Sequence, residues 1–292
     1  MNKKLEIFVN SWIFGNVQLD EIVKRVAALG FDGIELVGEP GEYQPKRVNA
    51  LARDFGIRIC SICGMHPGPN PDDLRALCHA DANERQKAVD YVMRCIDLAK
   101  EVGARSVLVV PSLVGQPGFF ASREKDTMMA VESIGRAGEY ARKQQIYLTI
   151  EPINRYEVGL VNSIYEALDM AWRIENDFVK IMGDTFHMQI EEGDGIANAI
   201  RRAGGDWLYH LHAADNTREA PGRGTMDWKE ILRALYDIEY TGVISLEPLP
   251  KGSSPYDARK GNIPAEKLDA ELKFALGHLR QQQLRVLPYT GE

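Results

Sequence analysis

Short runs of β-branched and apolar residues alternate along the chain with longer segments in which apolar residues recur at helical spacing. In the first long segment, Ile22, Val26 and Leu29 form one apolar stripe of the kind that a surface helix buries. The short runs predict strands at 5–12, 33–38, 57–63, 105–110, 146–151, 179–184, 207–213 and 242–247. The longer segments predict helices at 17–29, 44–55, 83–102, 122–144, 163–175, 193–204, 227–237 and 264–282.

This alternation predicts a parallel sheet, because a helix between two strands returns the chain to the same end of the sheet. A weak repeat supports it: 29–36 and 102–109 both pass from a helix end through glycine into a strand, and 240–246 is a looser copy. Eight such units predict an α/β fold, a single (β/α)8 TIM barrel over 1–292. An open, doubly wound sheet is the alternative. We expect the tail after about residue 280 to pack on the barrel or on a neighbouring copy.

Three predicted helices begin with the pattern of a capping box, in which the first side chain accepts a backbone N–H and a later Glu or Gln reaches back. The pairs are Asn83 with Gln86, Ser163 with Glu166, and Asp227 with Glu230. These pairs predict where the three helices start.

The composition narrows the class of protein. The chain has 292 residues, of which 45% are hydrophobic, so it can bury a large core without the disulfide scaffold that its four cysteines are too few to build. The net charge of −7 argues against a protein that binds nucleic acid through a basic surface. No apolar run is long enough to span a membrane, and Glu6 and Asn10 interrupt the only segment that resembles a leader. We therefore expect a cytoplasmic protein with neither a membrane nor a nucleic acid as partner.

The last four predicted strands each end in a residue that can bind a metal ion. These residues are Glu151, Asp184, His212 and Glu247. In a barrel of this type the active site lies at the carboxyl ends of the strands, so the four side chains are expected to converge there. Strand alternation turns Glu151 and Glu247 inward and their apolar neighbours outward. A single glutamate before proline is more often a loop cap or an ion pair; four candidates at equivalent positions favour a metal site.

Three carboxylates crowded at one barrel mouth would repel one another, and a bound divalent cation resolves that conflict. A set of three carboxylates and one imidazole favours Mn²⁺, Mg²⁺ or Co²⁺ over a thiolate-bound zinc. His210 shares a strand face with His212, but we expect it to lie deeper, in the barrel interior. His187 is expected in a loop after strand 6, where it can contact substrate, and His66 after strand 3 could line the mouth.

Four segments resemble the ketose 3-epimerases, that is, the D-tagatose and D-allulose 3-epimerases of the xylose-isomerase-like barrel superfamily. They are Glu-Pro-Ile-Asn-Arg-Tyr-Glu at 151–157, Asp-Thr-Phe-His-Met at 184–188, His-Leu-His-Ala-Ala-Asp-Asn at 210–216 and Pro-Gly-Arg-Gly-Thr-Met-Asp-Trp at 221–228. The first is the most discriminating, and the order of elements is compatible over nearly the whole chain. The loop 110–113 departs from the family pattern, which leaves the identity of the sugar open.

The resemblance implies roles for particular residues. Glu151, Asp184, His212 and Glu247 would bind one divalent metal ion, with Mn²⁺ favoured, and Glu151 and Glu247 would be the catalytic acid/base pair. Glu157, His187 and Arg218 would bind the ketose oxygens around C1 to C3. Trp12 is a looser match for an apolar wall. The resemblance further implies a homodimer or homotetramer.

The implied reaction is the inversion of C3 of a free ketose or a related keto-polyol, through removal and return of a proton and a cis-enediolate intermediate. An aldose–ketose isomerase and an inosose dehydratase-like enzyme use a similar barrel and metal, and stay open as alternatives. A non-catalytic sugar-binding protein also stays open. A metal-dependent apurinic-site endonuclease is disfavoured by the acidic composition and by only six histidines.

Overall fold

The computed structural model of the chain describes residues 4–64 and 73–287. Within these ranges, eight parallel strands pair in sequence order, and the last pairs with the first to close a barrel. The strands are β1 (Ile7–Asn10), β2 (Gly33–Val37), β3 (Arg58–Cys63), β4 (Ser106–Val109), β5 (Tyr147–Ile150), β6 (Val179–Asp184), β7 (Leu208–Ala213) and β8 (Val243–Leu246). The predicted (β/α)8 TIM barrel is therefore confirmed, and the open sheet is excluded.

Each predicted helix is present and packs outside the barrel. The helices are α1 (Leu19–Leu29), α2 (Pro45–Asp54), α3 (Ala82–Val102), α4 (Arg123–Gln144), α5 (Ile164–Ile174), α6 (Thr185–Glu191), α7 (Ile196–Ala203), α8 (Trp228–Asp237), α9 (Pro255–Arg259) and α10 (Ala265–Val286). The short helices α6 and α9 were not predicted, because five to seven residues are too few to show a clear helical period. In the described part of the chain, no helix is long and apolar enough to cross a membrane.

The prediction that His187 lies in a loop is wrong, because this residue is part of α6. The chain enters this helix directly from β6, since the side chain of Asp184 accepts the backbone N–H groups of Phe186 and His187. The predicted first strand was also too long. The chain leaves β1 at Ser11 in a 3₁₀ turn, which the side chain of Asn10 caps by accepting the N–H of Trp12.

Two of the three predicted helix starts are confirmed. Ser163 and Asp227 each accept the backbone N–H three residues further on. The start predicted at Asn83 is wrong, because α3 begins at Ala82 and Asp81 caps it. The reciprocal half of the box at α5 is displaced by one residue: the carboxylate of Glu166 accepts the N–H of Asn162 instead of that of Ser163.

Side-chain alternation separates two environments in the barrel wall. Ile150 and Leu246 are fully buried against the helices, in the large apolar core that surrounds the sheet. The next residue of each strand faces the opposite way, which turns Glu151 and Glu247 into the barrel mouth. The alternation of side chains therefore directs the two carboxylates into the barrel mouth. The apolar residues on the outer face of the same strands stabilise the fold by packing against the helices.

The end of the chain packs on the barrel as far as the structure describes it. Helix α10 lies against α1 and α8. Gln283 on α10 accepts the N–H of Leu5 and donates to its carbonyl oxygen, both at 3.2 Å, so the two ends of the described chain are joined by paired hydrogen bonds. That the whole chain forms one domain stays a prediction.

Gly33 at the start of β2 has no room for a side chain, which gives a test of the barrel packing. A Cβ there would lie 2.0 Å from the carbonyl oxygen of Arg58 and 2.8 Å from the ring of Phe8. We expect Gly33→Ala to lower the free energy of unfolding by about 1–3 kcal/mol, measured by chemical denaturation. Gly41→Ala is the control, because nothing lies within 4 Å of its Cβ position, and it should change stability by less than about 0.5 kcal/mol. Equal effects of the two substitutions would contradict this packing.

Candidate active site

The pocket at the carboxyl ends of the strands contains most of the predicted site residues. The polar part of its lining includes Glu151, Glu157, His187, His212, Arg218 and Glu247. Less polar groups complete the lining, among them Trp12, Cys63, Val110, Val114 and Ile153. Every predicted site residue except Asp184 lines this pocket. Asp184 is the last residue of β6, and its Oδ2 lies 3.6 Å from Nε2 of the pocket residue His187. His66 lies outside the described residues.

The four predicted metal ligands come together around His212. Its Nδ1 lies 3.5 Å from Oε1 of Glu151 and 3.4 Å from Oε2 of Glu247. Asp184, His212 and Glu247 each present a ligand atom within 4.8 Å of the others, and so do Glu151, Asp184 and His187. All these side chains are buried. Four neighbouring strands therefore deliver three carboxylates and an imidazole to one small volume.

The cluster is electrostatically unbalanced. Burial raises the pKa of Asp184, and the nearby Glu247 raises it further. Burial also raises the pKa of Glu151, with a contribution of the same sign from Asp184. Burial disfavours the charged form of His212, but Glu247 and Glu35 outweigh it and raise the pKa of this imidazole well above its usual value. Additional positive charge close to these carboxylates would therefore stabilise their ionised forms.

The residues fit a divalent cation. Oδ2 of Asp184 is buried and has no hydrogen-bond partner among the described residues, while Oδ1 of the same carboxylate caps α6. An unpartnered buried carboxylate oxygen beside two further carboxylates and an imidazole is a donor set of the oxygen-rich type that suits Mn²⁺, Mg²⁺ or Co²⁺. Burial raises the pKa of the Cys63 thiol well above its usual value, and the charge of Glu35 and Glu151 raises it further.

Both oxygens of Glu247 are held by donors. The indole Nε1 of Trp12 donates to Oε2 at 2.8 Å, and the guanidinium of Arg218 donates to Oε1 at 2.5 Å. The same guanidinium lies 3.9 Å from Oδ2 of Asp184 and 4.9 Å from the centre of the Phe186 ring. Trp12, which the resemblance implied as an apolar wall, is a hydrogen-bond donor in this pocket.

Asn154, in the loop after β5, links two of the predicted substrate-binding residues. Its side-chain nitrogen donates to Nδ1 of His187 at 2.7 Å and to Oε1 of Glu157 at 2.9 Å. Because Nδ1 of His187 accepts this bond, the neutral ring carries its proton on Nε2, which lies 3.6 Å from Oδ2 of Asp184. Burial lowers the pKa of His187, which favours that neutral form.

The sequence interpretation gave no role to Asn154 or to Glu35. Asn154 lies within the motif at 151–157, and Glu35 interrupts the apolar run of β2 at an inward-facing position, so both carried a visible signal. His210 lies deep in the barrel as predicted, with its ring 4.9 Å from that of His212. The chemical roles of Glu151, Asp184, His212, Glu247, Glu157, His187 and Arg218 stay predictions.

Comparison with known proteins identifies relatives of the expected kind. The family model described as xylose isomerase-like TIM barrel matches residues 23–275. D-psicose 3-epimerase of Agrobacterium fabrum is 31% identical over 274 residues, which cover 88% of this chain and 91% of that protein. D-psicose 3-epimerase of Enterocloster bolteae is 42% identical over 231 residues, which cover 77% of this chain and 74% of that protein.

A solved structure is similar over almost the full length. The crystal structure of D-psicose 3-epimerase with D-tagatose from Clostridium cellulolyticum H10 superposes with a TM-score of 0.81 at 26% identity. The similarity covers 95% of this chain and 99% of that chain. The family resemblance inferred from the four motifs is therefore confirmed.

Replacing Asp184 with asparagine separates helix capping from metal binding, because asparagine caps as well as aspartate does but carries no charge. We expect metal-free Asp184→Asn protein to unfold at or above the wild-type temperature, since one of three crowded charges is removed. At Mn²⁺ concentrations near 100 times the dissociation constant, wild type should gain roughly 5–10 °C and the variant less than about 2 °C. The measurement is thermal unfolding with EDTA and with MnCl₂.

Asp227→Asn is the matched control, because Asp227 caps α8 on the protein surface. This variant should keep the full Mn²⁺-dependent increase. An increase of wild-type size in Asp184→Asn would contradict the assignment of Asp184 to the metal site.

Proposed function

The chain belongs to the xylose isomerase-like TIM barrel family, and we propose that it is a divalent-metal-dependent isomerase that inverts C3 of a free ketose or a related keto-polyol. The observation that carries the proposal is the placement of Glu151 and Glu247. Glu151 follows β5 and Glu247 follows β8, and each has a carboxylate oxygen within 3.5 Å of Nδ1 of His212. Two carboxylates that reach one pocket from different strands are what a proton exchange between the two faces of a carbon atom requires.

Glu151, Asp184, His212 and Glu247 would hold the metal ion. We favour Mn²⁺ from the oxygen-rich set, with Mg²⁺ and Co²⁺ as alternatives. When bound, the ion polarises the C2 carbonyl of the ketose and makes the C3 hydrogen more acidic.

The proton transfers fall to the two glutamates. One carboxylate takes the C3 proton, and the electron pair of the broken C–H bond enters the cis-enediolate of the sugar. The other glutamate, in its protonated form, gives a proton to the opposite face of C3, which forms the new C–H bond. In the reverse direction, Glu151 and Glu247 exchange the roles of acid and base. Trp12 and Arg218 keep Glu247 in a fixed orientation during these steps.

The remaining polar groups would bind and orient the sugar. Arg218 and Nε2–H of His187 face the position of the ligand cluster and can donate to the oxygens around C1 to C3. The carboxylate of Glu157 can accept from a sugar hydroxyl. Val110 and Val114 also line the pocket and would contact the carbon atoms further along the sugar. Fixing the sugar among these polar and apolar groups would align C3 with the glutamates.

We also propose that the chain works in the cytoplasm as a homodimer or homotetramer. Tyr156, Tyr165 and Met128 are large apolar side chains that are exposed at 72%, 61% and 71%, near the loops and helix starts around the barrel mouth. Contact with a further copy of the chain would cover such groups.

The proposal is tested by incubating the Mn²⁺-loaded protein with a panel of ketoses in deuterated water and following the sugars by NMR. We expect deuterium at C3 together with the C3 epimer. Glu151→Gln and Glu247→Gln should each lower the exchange rate by about 10²–10⁴-fold, because an amide neither takes nor gives the proton. Glu230→Gln on the outer helix α8 is the control and should exchange at the wild-type rate.

Other outcomes identify other functions. An aldose product indicates an aldose–ketose isomerase, and loss of water indicates a dehydratase. Ketose binding without any deuterium entering the sugar indicates a binding protein. Exchange at the wild-type rate in both glutamine variants would overturn the acid/base assignment.

Asn154 should matter for turnover although it does not take part in proton transfer. Asn154→Ala removes the donor shared by His187 and Glu157, and a lost hydrogen bond to such groups costs about 1.5–3 kcal/mol. We expect kcat/KM to fall by about 10–100-fold. Asn176→Ala removes a similarly buried asparagine whose partners are Glu139 and Phe178, and it should lower stability without lowering kcat/KM. Equal losses in the two variants would show that Asn154 acts only on the fold.

A further inference from the structure

Glu35 on β2 is a buried carboxylate that lies across the barrel from β7, below the candidate metal ligands. Its Oε2 lies 3.0 Å from Nε2 of His212, and its Oε1 lies 3.4 Å from Nε2 of His210. The side chain is fully inaccessible to solvent. Neither the sequence motifs nor the proposed reaction uses this residue.

The two nitrogens of His212 face different carboxylates. Nδ1 faces Glu151 and Glu247, whereas Nε2 faces Glu35. A neutral imidazole has one donor and one acceptor nitrogen, and an ionised carboxylate only accepts. With Glu35 ionised, the proton of a neutral His212 therefore lies on Nε2, and the lone pair of Nδ1 is directed at the ligand cluster.

Glu35 is placed to accept a hydrogen bond from His212. Its Oε2 lies 3.0 Å from Nε2 of His212, and no part of the side chain is exposed to solvent. Oε1 lies 3.4 Å from Nε2 of His210 but has no hydrogen-bond partner among the described residues, so His212 is the histidine that Glu35 contacts most closely.

Glu35, His210 and His212 also present ligand atoms within 4.8 Å of one another, the arrangement of a second ion site. That site would take Nε2 of His212 as a ligand. A ring that binds one ion through Nδ1 and another through Nε2 has lost both protons, which is a far less accessible state than neutral imidazole. The geometry therefore favours a hydrogen bond from His212 to Glu35 over a second ion.

We propose that Glu35 is a positioning residue for the candidate metal centre: by accepting Nε2–H of His212, it fixes the tautomer and the ring orientation that present Nδ1 as a ligand. Carboxylates that accept from a metal-bound histidine in this way typically change metal affinity by about 10–100-fold. The inference rests on the metal site of the proposed function.

The test is Mn²⁺ binding to metal-free protein, measured by isothermal titration calorimetry. We expect the dissociation constant to rise about 10-fold in Glu35→Gln, whose amide oxygen still accepts a hydrogen bond, and up to about 100-fold in Glu35→Ala. At saturating Mn²⁺, kcat of Glu35→Gln should stay within about fivefold of wild type, because the catalytic groups themselves are unchanged. An unchanged dissociation constant in both variants would overturn the proposal.

Asp126→Asn is the matched control. Asp126 is equally buried and accepts the N–H groups of Phe120 and Ala121 at the start of α4, away from the ligand cluster. The substitution should lower the unfolding temperature and leave Mn²⁺ affinity unchanged. A loss of affinity equal to that of Glu35→Gln would show that general destabilisation explains the effect, and would overturn the proposal.

A measurement on the wild-type protein holds even if the Glu35 variants do not fold. In ¹⁵N-histidine NMR spectra of Mg²⁺-loaded protein, His212 should carry its proton on Nε2 with the downfield shift of a hydrogen bond to a carboxylate. A proton on Nδ1 would overturn the proposal. If wild type binds neither Mn²⁺ nor Mg²⁺, the metal-dependent function fails as well; if wild type binds and the variants bind equally tightly, only the role of Glu35 fails.

Discussion

Three buried carboxylates of like charge, held together at the mouth of a closed barrel, are the constraint on which the site depends. The backbones that carry Glu151, Asp184 and Glu247 are fixed close together, because each residue lies at the end of a strand that is paired with a neighbour on both sides. Part of the repulsion is offset by Arg218 and His212. The remainder favours a cation, so the backbone of the barrel and its electrostatics point to the same chemistry.

Hydrogen bonds around this cluster fix the orientation of the carboxylates as well as balancing their charge. Arg218 and Trp12 each hold one oxygen of Glu247, and Asp184 uses one oxygen to start α6 while the other stays directed at the cluster. The helix that Asp184 starts carries His187 back toward the same pocket. Asp184 thus both directs an oxygen at the cluster and, through the cap of α6, places the neighbouring imidazole of His187.

The sequence was sufficient for the fold and for the side chains that meet at the barrel mouth, because both depend on local patterns. Helical and strand periods locate the elements, and a strand that ends in Glu151 or Glu247 defines which way the side chain points. It was not sufficient for contacts between distant strands. The pairing of Glu35 on β2 with His212 on β7 depends on the diameter of the closed barrel, which no local pattern contains. Likewise, the short helix α6 is marked by the Asp184 cap and not by a helical period of apolar residues.

Arg218 occupies an unusual backbone position, with a φ of +61°. This left-handed conformation costs a non-glycine residue about 1–2 kcal/mol, and the neighbouring loops hold it there: Arg218 N–H bonds to Asp215, and its carbonyl accepts from Leu249. Arg218→Gly would relieve this strain, but it would also remove the guanidinium that faces Glu247 and Asp184. Losing one partner of a buried ion pair costs about 3–5 kcal/mol, more than the strain it relieves, so the charge balance of the pocket outweighs the backbone preference at this position.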